Sequence, residues 1–413
     1  MSSASSIILK NNENVTFVSN PSITYFKSVY RKHTKFSIDY KEEFPDDGNN
    51  SFNLDTTAEI KIPFHYSADL LCDISLKVRF ESRDDAGYSF SPPDDIALHL
   101  IDNITFNLQG QLNDFDKLDK EYINFNAMLN NPKSLDSTYT LHNGKLTCNN
   151  GNNFQNMALC GGINASGNLG NIKSMDAIIP LPFAFSKSIG TAIPLCAFNQ
   201  ARTTPQIVIT HVAPSHIDFG NVQTKADITG SFIYSAISKY IFLSNEEISR
   251  FKTTRSEYLY ERVNSLQTEE AMDGAINISR LNNKHPIKQI FIHVTSGLLS
   301  NALEYNIRIN HAPMFSENFH HEFFSKVEIL NKFKGCIYSS GSQTGQTIIN
   351  NKLGIIDFSL KNTEGPSGCI SPSNNAIILD IKRHVGTSFN ITIYTVCYYL
   401  LRISDGELSY VFD

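Results

Sequence analysis

Apolar and polar side chains alternate along many short segments of this chain, and this period of two is the feature that most limits its fold. Between residues 73 and 80 the apolar residues would all lie on one face of a strand; they are Ile74, Leu76, Val78 and Phe80. Similar short apolar patterns recur at 104–108, 206–210, 290–294, 307–309, 327–329, 377–381 and 389–398. Short strands separated by Gly-, Pro- and Asn-rich turns predict an all-β sandwich.

Two segments predict short helices instead. In 117–129 the apolar residues form one stripe at helical spacing, made of Leu118, Tyr122, Phe125 and Leu129. Ser244 stands three residues before Glu247, which is the pattern of a capping box. A helix should therefore follow the strand 232–243.

The length of 413 residues allows two or three domains, each with an ample core. The polar, Gly- and Asn-rich segment 130–173 predicts a long surface loop. A polar stretch near 213–225 predicts a boundary, which gives an N-terminal arm at 1–24, a first β domain at 25–213, a linker at 214–225 and a second β domain at 226–413. The two halves share no repeat at the level of sequence identity.

Charge and cysteine usage exclude several classes of protein. A net charge of -6 argues against a general nucleic-acid binder, which needs a basic surface. The seven cysteines are scattered without a Cys-x-x-Cys pair, so we expect reduced, mostly buried thiols. The first residues lack the pattern of a signal peptide, and no apolar run approaches the ~18 residues of a membrane span.

No catalytic, cofactor or metal site is expected. His320 and His321 lack the second His of a metalloprotease helix and predict a polar loop pair. The segment 341–347 lacks the Lys of a phosphate-binding loop and predicts a turn. The acidic pairs at 46–47 and 84–85 are most simply solvated loop charges, with weak calcium binding as the alternative.

The segment 20–36 is the most particular of the chain. It reads Asn-Pro-Ser-Ile-Thr-Tyr-Phe-Lys-Ser-Val-Tyr-Arg-Lys-His-Thr-Lys-Phe. It resembles the N-terminal signature of the double jelly-roll major capsid proteins of nucleocytoplasmic large DNA viruses. Five further segments resemble the same family in the right order, at 181–195, 240–261, 283–290, 366–376 and 394–404. The absence of Trp and the tail 405–413 depart from the family pattern.

This resemblance implies two consecutive eight-stranded jelly rolls with a few short helices in the loops. It also implies a structural protein that forms homotrimeric, pseudo-hexagonal capsomers of an icosahedral virion shell, made and assembled in the host cytoplasm. The implied partners are neighbouring capsomers, minor capsid proteins and an inner membrane, with no specific nucleic acid. A divergent minor capsid paralogue and a membrane-shaping scaffold protein of the same fold are the alternatives. A carbohydrate-binding or enzymatic β-sandwich is a more remote one.

The segment 20–36 also carries the candidate interaction residues, which are Lys27, Arg31, Lys32 and Lys35. Two interpretations stay open. In one, the segment is architectural, and aromatic residues such as Phe26 and Tyr30 pack under the first jelly roll. In the other, the four cations face the particle interior and meet acidic minor proteins or lipid head groups.

Overall fold

The fold was examined in a computed structural model of the chain. It describes residues 26, 28, 32–46, 51–52, 57–64, 68–82, 88–89, 96–109, 112–130, 138–142, 145–149, 171–172, 174–198, 204–212, 230–268, 276–281, 284–296, 303–333, 338–339, 348–349, 353–360, 366–372, 375–383, 390–404 and 406–411. Residues 1–35 form one compact unit, and residues 36–413 form the other.

The first half of the larger unit contains fourteen described strands. They are β1 (Phe36–Glu43), β2 (Ser51–Phe52), β3 (Ala58–Pro63), β4 (Leu70–Ser82), β5 (Tyr88–Ser89), β6 (Ile101–Gln109), β7 (Leu112–Asp119), β8 (Thr138–His142), β9 (Lys145–Asn149), β10 (Asn171–Ile172), β11 (Ser174–Pro180), β12 (Ile193–Pro194), β13 (Thr204–His211) and β14 (Gly230–Leu243). Its helices are α1 (Ile96–His99) and α2 (Lys120–Asn130), with 3-10 turns at Ala184–Lys187, Ile189–Thr191 and Leu195–Ala197.

The second half follows α3 (Asn245–Thr253). Its described strands are β15 (Ser256–Thr268), β16 (Ile276–Arg280), β17 (Ile287–Ser296), β18 (Leu303–Ile309), β19 (Ala312–Pro313), β20 (Phe319–His320), β21 (Tyr338–Ser339), β22 (Ile348–Ile349), β23 (Leu353–Asp357), β24 (Ile377–Arg383), β25 (Asn390–Ser404) and β26 (Glu407–Tyr410). A π-helical turn, Phe323–Val327, continues into α4 (Glu328–Lys332).

The strands form two sandwiches whose sheets have the same order of strands. In the first, sheet I has the order β1-β14-β4-β11 and sheet II the order β3-β13-β6-β7. In the second, sheet III has the order β15-β25-β17-β23 and sheet IV the order β16-β24-β18-β19. Because each sandwich places its strands in the same chain order, the two halves are structural repeats. The fold is the expected double jelly roll.

The strand pairing places β14, which lies after the predicted linker 214–225, beside strands of the first half of the chain. β14 pairs with β1 and with β4, so it lies in the centre of sheet I. The reason is a long-range one. A jelly roll closes by returning its last strand beside its first, and neither strand alone shows which neighbour it will take.

The core confirms the alternation in β4, β6 and β24, whereas residues on both faces of β17 are buried. Ile74, Leu76, Val78 and Phe80 are all buried, as predicted. The longest described strand is β25. Inward-facing side chains from paired sheets interdigitate, and this burial is the main stabilising contribution of each sandwich.

Four local predictions differ in part from the structure. Residues 327–329 were expected in a strand but lie in the helical segment 321–332, because alternation over so few residues also fits a helix. The helix expected at 117–129 starts at Lys120, since 117–119 complete β7. α3 forms as expected after Ser244, although the Ser244 side chain makes no capping hydrogen bond. The expected loop 130–173 contains the hairpin β8–β9, whose second strand pairs with β11.

Candidate assembly surfaces

The predicted basic group is only partly within the described residues. Lys32 and Lys35 are exposed. Lys27 and Arg31, like Tyr30, lie outside the described part of the chain. Exposure of two of the four cations is compatible with either interpretation of this segment.

Phe26 and Phe36 are two aromatic residues of this segment that the structure describes. The Phe26 side chain is 100% exposed. Phe36, the last residue of the same signature, opens β1 and is also exposed. The described residues of the segment thus expose apolar as well as basic side chains, and the packing of its aromatic residues under the first jelly roll stays a prediction.

The two jelly rolls meet through α2, which leaves sheet II and packs on sheet III. Tyr122 and Phe125 of α2 contact Phe291 of β17, with ring centroids 6.3 and 5.3 Å apart, respectively. Both also contact Tyr394 of β25, at 5.9 and 5.4 Å. Aromatic pairs at these distances add to the free energy of burial. The amphipathic stripe predicted from the sequence is thus the contact between the two jelly rolls.

A partly buried ion cluster lies beside this aromatic contact. Glu261 of β15 accepts hydrogen bonds from Lys288 at 2.7 Å and from Lys187 of the first jelly roll at 3.0 Å. The Lys288 side chain is only 2% exposed. Burial raises the pKa of Glu261, but the two ammonium groups outweigh burial, so its net pKa is lowered. The cluster therefore holds one carboxylate and two cations across the junction.

Asp116 of β7 is a second buried acid near the junction. Its Oδ2 atom accepts a hydrogen bond of 2.7 Å from the Ala184 N–H, whereas its Oδ1 atom is buried with no hydrogen-bond partner in the structure. Burial raises the pKa of Asp116 to about 6, although the Ala184 N–H and Arg262 oppose the rise. Arg262 itself stacks over the Tyr399 ring, 4.5 Å from its centroid, and donates to the Tyr410 hydroxyl.

A cavity of about 910 Å³ opens beside the ion cluster of Glu261, Lys187 and Lys288. Its walls come from both jelly rolls, with Tyr122 and Lys187 on one side and Tyr258, Glu261 and Phe291 on the other. Sequence reasoning missed this arrangement. The only available signal was the placement of Lys288 and Glu261 within segments already recognised for their family resemblance.

Two further surfaces expose apolar side chains. On β1, Phe36, Ile38 and Tyr40 are exposed; we call them the β1 row. On the helical segment 321–332, Phe323, Val327 and Leu330 are exposed; we call them the helix stripe. Apolar residues grouped on a surface commonly mark an interface.

Within the residues described, no group of three His, Cys, Asp or Glu side chains could hold a metal ion. His321 was expected in a polar loop but is fully buried, with its Nδ1 atom 3.0 Å from the Tyr305 hydroxyl oxygen. The residues 341–347 and 84–85 lie outside the described part. No helix among the described residues is long and apolar enough to cross a membrane.

The cysteines that the structure describes agree with the expectation of buried thiols at three of four positions. Cys72, Cys196 and Cys397 are buried, and Cys369 is exposed. Burial raises the pKa of each buried thiol to about 11. The three buried thiols are therefore poor nucleophiles at neutral pH.

Comparison with known proteins connects these surfaces to a family. The family described as "Major capsid protein N-terminus" matches residues 24–243. A major capsid protein of Pyramimonas orientalis virus is 25% identical over 418 residues, which cover 94% of this chain and 93% of that protein.

Solved structures agree on the fold. The PBCV-1 virus capsid contains a chain that matches with a TM-score of 0.73 at 18% identity, covering 94% of this chain and 100% of that chain. The Faustovirus major capsid protein matches with a TM-score of 0.64 at 11% identity, covering 92% and 93%. This chain belongs to the family of double jelly-roll major capsid proteins of large DNA viruses, and it is a structural capsid protein rather than an enzyme.

Proposed function

We propose that this chain assembles as a homotrimer, and that the trimer is a pseudo-hexagonal capsomer of an icosahedral shell. The observation that carries the proposal is the repeat of one sheet order in two jelly rolls fixed to each other by α2. Two similar building blocks per chain allow three chains to occupy a six-coordinated site. Fold alone does not determine this use, so the trimer has to be measured.

The sheet pairing also supports a revised pair of domains. We infer that the first jelly roll ends with β14 and the second begins with β15, so that α3 connects them. The end of the family match at residue 243, the last residue of β14, supports this boundary. Residues 1–35 form the separate N-terminal unit.

The remaining partners are proposed from the basic residues of the segment 20–36. Lys27, Arg31, Lys32 and Lys35 would face the particle interior and bind acidic minor capsid proteins or the anionic head groups of an inner membrane. Neighbouring capsomers would bind the flanks of the trimer. Synthesis and assembly would take place in the host cytoplasm.

Two measurements test the proposal. Light scattering of the recombinant chain should give the mass of a trimer at micromolar concentration, and a folded monomer would contradict it. The copy number in purified particles then separates the uses of the fold. Thousands of copies indicate the principal capsomer, a few hundred or fewer a minor component, and none a scaffold that shapes a membrane and leaves.

A further inference from the structure

Each jelly roll carries a helix directly after the last strand of its second sheet. α2 follows β7, and the helical segment 321–332 follows β20. Their sequences correspond without a gap, since Lys-Glu-Tyr-Ile-Asn-Phe-Asn-Ala-Met-Leu-Asn in one matches His-Glu-Phe-Phe-Ser-Lys-Val-Glu-Ile-Leu-Asn in the other. In this match Tyr122 corresponds to Phe323 and Leu129 to Leu330. The two helices are thus equivalent elements of the two repeats.

The equivalent helices differ in what covers them. Ile123 and its counterpart Phe324 are both buried, and they hold each helix on its own jelly roll. Tyr122 is buried on sheet III, but its counterpart Phe323 is 37% exposed.

The rest of the helix stripe shows the same contrast. Val327 is 44% and Leu330 is 65% exposed. The π-helical turn at Phe323–Val327 widens the helix, so that Val327 rather than Lys326 falls in line with Phe323. The second helix therefore exposes the apolar residues that correspond to those buried on the first helix.

The matching acceptor surface can be located on sheet I by strand register. In sheet III the pairing of β17 with β25 shifts between Ile287 and Gln289, and just beyond this bulge Phe291 pairs with Tyr394. In sheet I the pairing of β4 with β14 shifts at the same place in the sandwich, and just beyond it Ser75 pairs with Ile237.

Ser75 and Ile237 therefore occupy the positions of the two aromatic residues that receive α2. Ile237 pairs with Glu42 of β1, and the exposed β1 row continues along the same strand. Ser75 and Ile237 are partly exposed, whereas Phe291 and Tyr394 are each only 2% exposed. Among the described residues, this part of sheet I is therefore less covered than the face of sheet III that binds α2.

We propose that the helix stripe of one copy docks on sheet I of a second copy, with Val327 against Ile237 and the β1 row at the margin of the contact. The proposal rests on the trimer proposed above and specifies how its copies meet. The helix stripe and sheet I are different surfaces, so the contact is head-to-tail. Junctions within and between chains then alternate, and six similar steps of about 60° close a ring of three copies.

The test compares Val327→Lys with the control Ser409→Lys, in which the same charge is added to an exposed residue of β26, outside the helix stripe and sheet I. Val327→Lys should raise the concentration at which trimers dissociate by about 100-fold, because a charge is buried at the centre of the contact. Ser409→Lys should leave this concentration unchanged. Sedimentation velocity over a dilution series measures both, and circular dichroism should show that both variants are folded.

A second pair of variants tests which surfaces meet. Ile237→Glu alone should raise the dissociation concentration of the trimer to a similar extent. In the double variant with Val327→Lys, this concentration should be at least tenfold lower than in either single variant at low salt, because Lys and Glu then face each other. Dissociation of both single variants without recovery in the double variant would overturn the pairing. Dissociation by Ile237→Glu alone would also overturn it, and would indicate another occupant of sheet I, such as residues 1–35.

The outcomes separate this inference from the proposed function. If the unmodified chain is a trimer and both single variants remain trimers of equal strength, the docking is wrong although the trimer stands. If the unmodified chain is a folded monomer, the proposed function itself fails.

Discussion

Sheets I and III hold the same place in the two jelly rolls, but their outward faces have opposite surroundings. The outward face of sheet III is contacted by α2 and carries the partly buried cluster of Glu261 with two lysines. The outward face of sheet I carries the exposed β1 row and the partly exposed ion pair of Lys77 with Glu42. Sheet III thus contacts a helix of the same chain, whereas the corresponding face of sheet I has exposed apolar residues at its edge strand. The difference identifies which surface a partner would use.

The two equivalent helices give the largest expected difference. Phe125→Ala removes a ring that packs between Phe291 and Tyr394, so it should lower the free energy of unfolding by about 3 kcal/mol or more. Val327→Ala removes a partly exposed side chain and should cost less than about 1 kcal/mol in the separated chain. Urea denaturation measures both losses when the protein concentration is low enough for the trimer to be dissociated. Equal losses would remove the contrast between the helices.

The ion cluster on sheet III gives the next difference. Glu261→Gln leaves Lys288 as a buried charge without its carboxylate partner, and we expect a loss of about 3 kcal/mol. The control is Lys187→Gln, which removes the more exposed of the two lysines and should cost only about 0–1 kcal/mol. The same denaturation experiment applies. A Glu261→Gln variant as stable as the control would show that the junction depends on aromatic packing alone.

Asp116 of the first jelly roll and Glu261 of the second should make the free energy of unfolding depend on pH in opposite directions. A carboxyl group whose pKa is raised on folding, here from 3.8 to about 6, binds its proton more tightly in the folded state. The folded state should therefore gain stability as the pH falls from 7 towards 4, by up to about 3 kcal/mol from this group. Glu261 acts in the opposite sense, because its pKa is lowered. Its contribution is present above the usual carboxyl pKa and is lost as the pH falls through its lowered value.

The variant Asp116→Asn isolates the first of these effects. It keeps an oxygen for the Ala184 N–H but cannot ionise, so the part of the pH dependence between pH 4 and 7 that comes from Asp116 should disappear. Denaturation midpoints of the chain and of this variant at several pH values provide the measurement. An unchanged slope would mean that Asp116 does not titrate in this range.

The smallest effect on stability is expected in the N-terminal unit. Replacing Lys27, Arg31, Lys32 and Lys35 with Gln should barely change the melting temperature, because an exposed charge contributes about 0–1 kcal/mol. Binding to anionic vesicles should weaken by about 1 kcal/mol per charge, and added salt should have the same effect. Misfolding of this variant, or vesicle binding that salt does not affect, would favour a purely architectural segment.

Particular residues show how far sequence reasoning reaches. The sequence correctly assigned four residues to a core face, namely Ile74, Leu76, Val78 and Phe80. In a strand of this length, the alternation of apolar and polar residues is enough to show which face is buried. The helical stripe of Tyr122 and Phe125 was also recognised. Its counterpart at 323–330 was missed, because the alternation of Val327 and Ile329 with polar residues predicted a strand. The resemblance of 20–36 and five later segments identified the family.

The sequence alone determined the class of this protein, since periodicity fixes which side chains can be buried and the ordered motifs fix the family. Only the tertiary structure decided the place of β14, the junction of Glu261 with Lys187 and Lys288, and the exposure of the helix stripe. These features depend on contacts between residues far apart in the chain. Two equivalent helices with closely similar patterns can be buried in one repeat and exposed in the other, because burial is decided by the neighbour and not by the pattern.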